Sequence, residues 1–263
     1  MPRYFLEVAY KGAAFHGFQI QDDGGLTVQG EVNRALQTLF RKDVQTTTSS
    51  RTDAGVHARQ NFLHWDCEHP LPARTLYALN AILHPDLCIR NIFKVADDAH
   101  ARFDATGRQY AYRIISFKDP FALGLSYHYP FTLSLSALQE TAALLVGTRD
   151  FTSFSKRNTD VKTFLCTIQE SRWEQTNGHT LTFHVRANRF LRGMVKALVG
   201  TQLHVGRGRI SLSDFSRIIE ARDCTLADFS PPSEGLFLEN VYYPEGLLQE
   251  AFPKNRPDRD FHF

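Results

Sequence analysis

Ser49-Ser50-Arg51-Thr52-Asp53-Ala54-Gly55-Val56-His57-Ala58 is the stretch around which the chain is organised. The residues before it, Val44 to Thr48, are rich in β-branched side chains and read as a strand. Those after it, Val56 to Asp66, read as another, with Phe62, Leu63 and Trp65 as its bulk. Between the two lie an arginine, a carboxylate and a glycine within five residues. In locally extended backbone the two-residue period places Arg51 and Asp53 on one face. Gly55 lets the chain turn sharply, or approach a ligand closely, just past the acid. The plain alternative is that Asp53 caps backbone N–H groups in a turn.

Working outward, the N-terminal half reads as strand, helix, strands, helix, strand. Tyr4, Leu6, Val8 and Tyr10 alternate with Phe5, Glu7 and Ala9, giving an opening strand with at least one buried face. Phe15 and Phe18 fall in the loop that follows, as core plugs or as stacking platforms. Thr27 is the expected N-cap of a helix whose apolar stripe is Val28, Val32, Ala35, Leu36, Leu39 and Phe40. A second helix starts near Leu71-Pro72 and stops at His84-Pro85, and Leu87 to Val95 is a further strand. This order is that of a split βαβ unit, with helices on one face of a mostly antiparallel sheet.

A small-residue loop around Ala105 marks the expected domain junction, dividing 1–105 from 106–263. Gln109 to Phe117 then reads as a strand, with Tyr110, Tyr112 and Ile114 on one face. Ser136 has the form of a capping-box residue for a helix ended by Gly147. Phe164 to Trp173 and Thr180 to Ala187 read as strands paired through an Asn177-Gly178 turn. Asn188 is the expected cap of a helix from Arg189 to Leu203, which would set Arg189, Arg192 and Lys196 on one face. Ser211 opens the last helix, and Leu236 to Tyr243 is the closing strand.

Composition bounds the rest. The 263 residues, 43% hydrophobic, suit a globular protein of one large or two modest domains. No apolar run reaches bilayer length and the N-terminus lacks a signal-peptide layout, so a cytoplasmic location is expected. Cys67, Cys88, Cys166 and Cys224 form no C-x-x-C pair, which argues against structural zinc and a disulfide framework. None of the 11 histidines sits in an H-E-x-x-H arrangement; His57, His64 and His69 read as strand or loop residues, not metal ligands. Net charge is only +2, but from Gln175 to Ser213 there is no acid, while Arg186, Arg189, Arg192, Lys196, Arg207 and Arg209 all fall there. A one-signed segment in a nearly neutral chain is the footprint of a polyanion partner.

Arg51-Thr52-Asp53-Ala54-Gly55-Val56-His57-Ala58 resembles the active-site signature of the tRNA pseudouridine synthase A family. Ser50 stands where that family usually has glycine. The resemblance extends from about Tyr10 to Tyr243, through His100 to Arg113, Asp150 to Lys156, Met194-Val195 and Glu234 to Leu238. It implies an α+β fold of two split-βαβ, ferredoxin-like domains with mostly antiparallel sheets flanking a central catalytic cleft. It also implies conversion of uridine to pseudouridine at positions 38, 39 and 40 of the tRNA anticodon arm, without cofactor or metal. Asp53 corresponds to the family's nucleophile and Tyr110 to the tyrosine that packs on the target base. Lys196 stands where the family has the arginine that pairs with the nucleophile, a point charge in place of a fork.

The chemistry needs an ionised carboxylate within a cleft that excludes water, and a uridine flipped from its stack. Arg51 is then the residue to fill the vacated space or hold the flipped nucleotide's phosphate. Arg189, Arg192, Arg207 and Arg209, with Arg102 and Arg108, are the expected phosphate-binding cations. A substrate spanning more than one cleft points to a homodimer, the family's habit. A non-catalytic RNA-binding protein on the same fold, and a metal-dependent nucleotide hydrolase, are the competing classes.

Overall fold

A computed structural model describes residues 1–22, 24–68, 70–157, 161–176 and 178–251 of the chain. His69, Asn177 and residues 252–263, on which parts of the sequence reading fell, lie outside them.

The chain forms β1 (Arg3–Tyr10), α1 (Val28–Phe40), β2 (Thr47–Thr48), β3 (His57–Asp66), α2 (Thr75–Ile82), β4 (Leu87–Val95) and β5 (Gly107–Ile115). There follow β6 (Tyr127–His128), α3 (Leu135–Leu144), β7 (Gly147–Asp150), β8 (Leu165–Thr176), β9 (Thr180–Ala187), α4 (Met194–Gly206), α5 (Leu212–Ala221), β10 (Leu236–Tyr242) and β11 (Gln249–Glu250). All the strands join one sheet in the order β11-β4-β1-β3-β10-β5-β9-β8-β7, with β2 on β3 and β6 on β5. Pairing is antiparallel except for β10 with β3 and β5 with β6. This is the α+β, mostly antiparallel architecture expected.

Two apolar cores sit along the sheet. Tyr4, Leu6 and Val8 of β1 pack with Val32 and Leu36 of α1 and Leu63 and Trp65 of β3. Tyr112, Phe183 and Trp173 pack with Leu138 of α3, Leu198 of α4 and Phe215 of α5. The cores meet at β10, where Leu238 and Val241 belong to the first and Leu236 to the second. That late strand lies between β3 and β5, so the two halves share backbone hydrogen bonds rather than a loose linker.

Local signals account for several ends. Thr27 caps α1 by accepting from the Gly30 N–H, and Ser211 forms a reciprocal capping box with Asp214 at α5. Phe15 and Phe18 are buried core plugs. The α3 cap is Ser134, two residues earlier than Ser136, and α2 begins at Thr75 rather than beside Pro72. The largest difference is α4, which starts at Met194 and not Arg189. Gly193 precedes it at φ +75°, a left-handed conformation that breaks any helix entering from Arg189. The Lys156 N–H takes the Arg192 carbonyl in that turn.

Candidate active site

The loop from β2 to β3 is fixed from below by a buried polar network. Asn61, fully buried on β3, donates to the Ser50 carbonyl at 3.0 Å and to the Tyr10 hydroxyl at 3.3 Å. It accepts from the Ser49 hydroxyl at 2.8 Å. Tyr10 in turn meets the Thr52 hydroxyl at 2.8 Å. The Phe18 N–H holds the Thr52 carbonyl, and the Val56 N–H closes the turn on the Asp53 carbonyl at 3.2 Å, with Gly55 at φ +78°. Thr52 is buried while Arg51 and Asp53 on either side are exposed. The two-residue alternation thus sends both charged side chains outward together.

His57, the histidine of the same stretch, has a structural task. Its Nδ1 accepts from the Gly12 N–H at 3.0 Å, so Nε2 carries the proton and donates to the Glu234 carbonyl at 3.2 Å. The ring stacks on Phe237 at 4.6 Å. Burial, its largest influence, lowers its pKa and keeps it neutral. A side chain at position 12 would fall 2.2 Å from the Val56 carbonyl oxygen, so the histidine anchors two backbones too close for anything but glycine there.

Beyond β10 in the sheet, β5 brings Tyr110, and α4 brings Lys196. Tyr110 pairs with Leu238 on one side and Val185 on the other, and its ring meets Phe190 edge-on at 5.0 Å. Burial pushes its phenol up to about 12; the charge of Arg108 opposes that and the charge of Asp53 adds to it. Burial pulls the Lys196 ammonium below the usual lysine value, the nearby Lys156 acts in the same sense, and Asp53 opposes both. Asp53 is therefore electrostatically coupled to the tyrosine of one element and the lysine of another. Among the described residues no ion pair within 4.0 Å joins Asp53 to Lys196.

Several expectations change. Asp53 is exposed, not buried, because its loop is packed through Thr52 and leaves the carboxylate facing water. Arg189 and Arg192 lie in the turn before α4 and do not share a helical face with Lys196. Arg108 is no free phosphate binder. Its guanidinium donates to the carbonyls of Ser49 at 3.2 Å, Arg102 at 3.1 Å, Ala105 at 3.2 Å and Asn188 at 3.4 Å. Arg207 and Arg209 follow the far end of α4, about 17 Å from Lys196 by helical rise. The Arg207 guanidinium sits 3.6 Å over the Phe131 ring instead. Arg51, Arg102 and Arg192 are exposed and Arg189 half-buried. Lys156, exposed beside Lys196, is a further cation, and only its place in the Asp150 to Lys156 segment of the resemblance signals it in the sequence.

The model of a family described as tRNA pseudouridine synthase matches residues 141–244. A tRNA pseudouridine synthase A of Parabacteroides distasonis is 46% identical over 94% of this chain and 98% of its own length. The Bacteroides thetaiotaomicron protein of that name is 43% identical over 97% of this chain and 96% of its own, and one from Staphylococcus aureus 37% over 95% and 94%. A solved Cbf5–Nop10–Gar1 complex gives a TM-score of 0.32 at 10% identity, over 76% of this chain and 54% of that one, too slight to carry an argument. The fold is that of a pseudouridine synthase, an isomerase. The chain belongs to the tRNA pseudouridine synthase A family.

Proposed function

We propose that the chain isomerises uridine to pseudouridine in the anticodon arm of tRNA, at positions 38, 39 and 40, with Asp53 as nucleophile. The observation that carries this reading is a carboxylate presented outward on a hydrogen-bonded loop, close enough for its charge to act on Tyr110 and Lys196. In the reaction the N1–C1′ bond breaks, the uracil turns, C5–C1′ forms, and the C5 proton is lost while N1 gains one. Covalent capture by Asp53 divides this into easier steps.

Because Asp53 is open to water in the free protein, the flipped nucleotide itself must supply the desolvation. Tyr110 stacks on the base, held by Phe190. Lys196 and Lys156 supply positive charge beside the carboxylate as water leaves. Arg51 fills the gap left in the RNA or holds the nucleotide's phosphate, while Arg189, Arg192 and Arg102 bind the backbone. Residues 1–105 and 106–263 form the two walls, and the active species is a cytoplasmic homodimer that needs no metal or cofactor. Among the described residues no helix is long and apolar enough to cross a membrane.

Tritium release from C5-labelled uridine in a tRNA transcript tests the assignment. Asp53→Asn abolishes release and leaves the transcript's dissociation constant nearly unchanged; substantial remaining release removes Asp53 from the chemistry.

A further inference from the structure

Phe103 lies between β4 and β5 with 74% of its surface exposed, on a turn built to hold it outward. The His100 N–H donates to the Asp104 carboxylate at 2.7 Å, and His100 Nδ1 accepts the N–H groups of Arg102 at 3.1 Å and Phe103 at 3.3 Å. The His100 ring lies 4.1 Å from the Phe103 ring and 4.8 Å from that of His64. Ala101, fully buried, donates to His64 Nδ1 and accepts from the Tyr243 hydroxyl at 2.6 Å. An apolar ring on such a fixed turn is preorganised, so binding through it orders little further.

Its surroundings say what it would bind. The Arg102 guanidinium is 5.8 Å from the ring centroid, and the adjoining Asp104 carboxylate is occupied by the turn's own backbone. Phe103 is a single ring beside a cation. Phe117, Phe121 and Leu123, by contrast, gather their exposed apolar surface on one loop. The turn is also continuous with the cleft, since one nitrogen of Arg108 holds both the Arg102 and the Ser49 carbonyls.

We propose that Phe103 is a stacking platform for an unstacked base of the substrate RNA beside the target uridine, with Arg102 on the adjoining phosphate. Aromatic faces accept any base, and a neighbouring cation suits the strand's backbone. The inference rests on the Asp53 cleft being where tRNA binds.

The test measures filter binding of an unmodified tRNA transcript and of a fully duplex RNA, in the Asp53→Asn background so that nothing turns over. Phe103→Ala raises the tRNA dissociation constant roughly 5- to 150-fold, the range for losing one stacked base. Phe103→Tyr and Phe103→Trp stay within about threefold of the parent, because a π-face remains. The slope against salt is unchanged, since no phosphate contact is lost. Duplex RNA, with no free base, is bound alike by all. An indifferent Phe103→Ala overturns the proposal, as does an equal loss with duplex. So does a Phe103→Ala defect that accompanies a change of oligomeric state in sedimentation, which would make the ring a subunit contact. If Asp53→Asn is inactive and paired Arg189 and Arg192 replacements weaken tRNA while Phe103→Ala does not, only this inference fails. If neither of those controls behaves so, the cleft reading itself fails.

Discussion

The Arg108 guanidinium donates to the carbonyl of Ser49 at 3.2 Å, the residue from which the Asp53 loop departs. The same group holds Asn188, next to Arg189, and Arg102. One side chain thus ties three segments together beside the Asp53 loop, two residues from Tyr110 on the same strand. Arg108→Lys keeps a charge but loses the planar fork. The expected outcome is a fall in kcat of tenfold or more, roughly the effect of a displaced reacting group, with KM changed little. A phosphate-binding Arg108 would instead raise KM and lower the salt slope, so steady-state kinetics at two salt concentrations decide.

Lys196 is expected to set the alkaline behaviour. Its pKa is lowered by burial and by Lys156, so its charge is lost as pH rises through a value below that of an ordinary lysine. Tyr110, pushed up to about 12, stays protonated across that range. The alkaline limb of the kcat/KM profile of the wild type should therefore follow Lys196. Lys196→Arg, which does not deprotonate, should move that limb to higher pH; an unmoved limb separates Lys196 from the chemistry.

Gly193 is placed to fail on substitution. Its φ of +75° is strained for any other residue, and a Cβ there would lie 3.2 Å from Lys156 and 3.3 Å from Phe229. Gly193→Ala should destabilise by about 1–2 kcal/mol and displace Lys156 from Lys196. Thermal melting reads the first effect. A shifted alkaline limb reads the second, and upward is the expected direction if Lys156 moves away.

Acid should unfold the N-terminal half through His64. Burial holds its pKa down at about 4 against an ordinary 6.5. Between those values the unfolded chain binds the proton and the folded one does not, so stability is complete above pH 6.5 and declines as pH falls towards 4. The difference amounts to about 3 kcal/mol at most. Melting curves from pH 7 to 4.5 should flatten in His64→Gln, and parallel curves would assign the acid loss elsewhere.

Much of the frame was legible because it depends on local pattern. The run Leu87–Val95 was readable residue for residue once His84-Pro85 closed the helix before it, and Thr27 and Ser211 declare themselves as caps. The α4 start was not, because the apolar spacing from Leu191 to Leu198 continues through Gly193, and only the backbone angle reveals the break. Arg108 and Arg189 look alike as letters. What separates them is four carbonyl oxygens gathered from distant segments, which no spacing encodes. The exposure of Asp53 was hidden for a related reason: it follows from Thr52 being the residue that Tyr10 grips. Lys156 joined the site only through the fold of the 150–156 segment against the turn before α4.

The placement of β10 has a consequence for how the molecule is made. During synthesis the strand that fills the gap between β3 and β5 leaves the ribosome after nearly all the others, so the central part of the sheet stays unzipped until then. An unfinished chain holds the Asp53 loop and Tyr110 on pieces of sheet that no backbone pairing yet joins. The sheet between the Asp53 loop and Tyr110 is completed in one late step, and a nascent chain shorter than that strand lacks it.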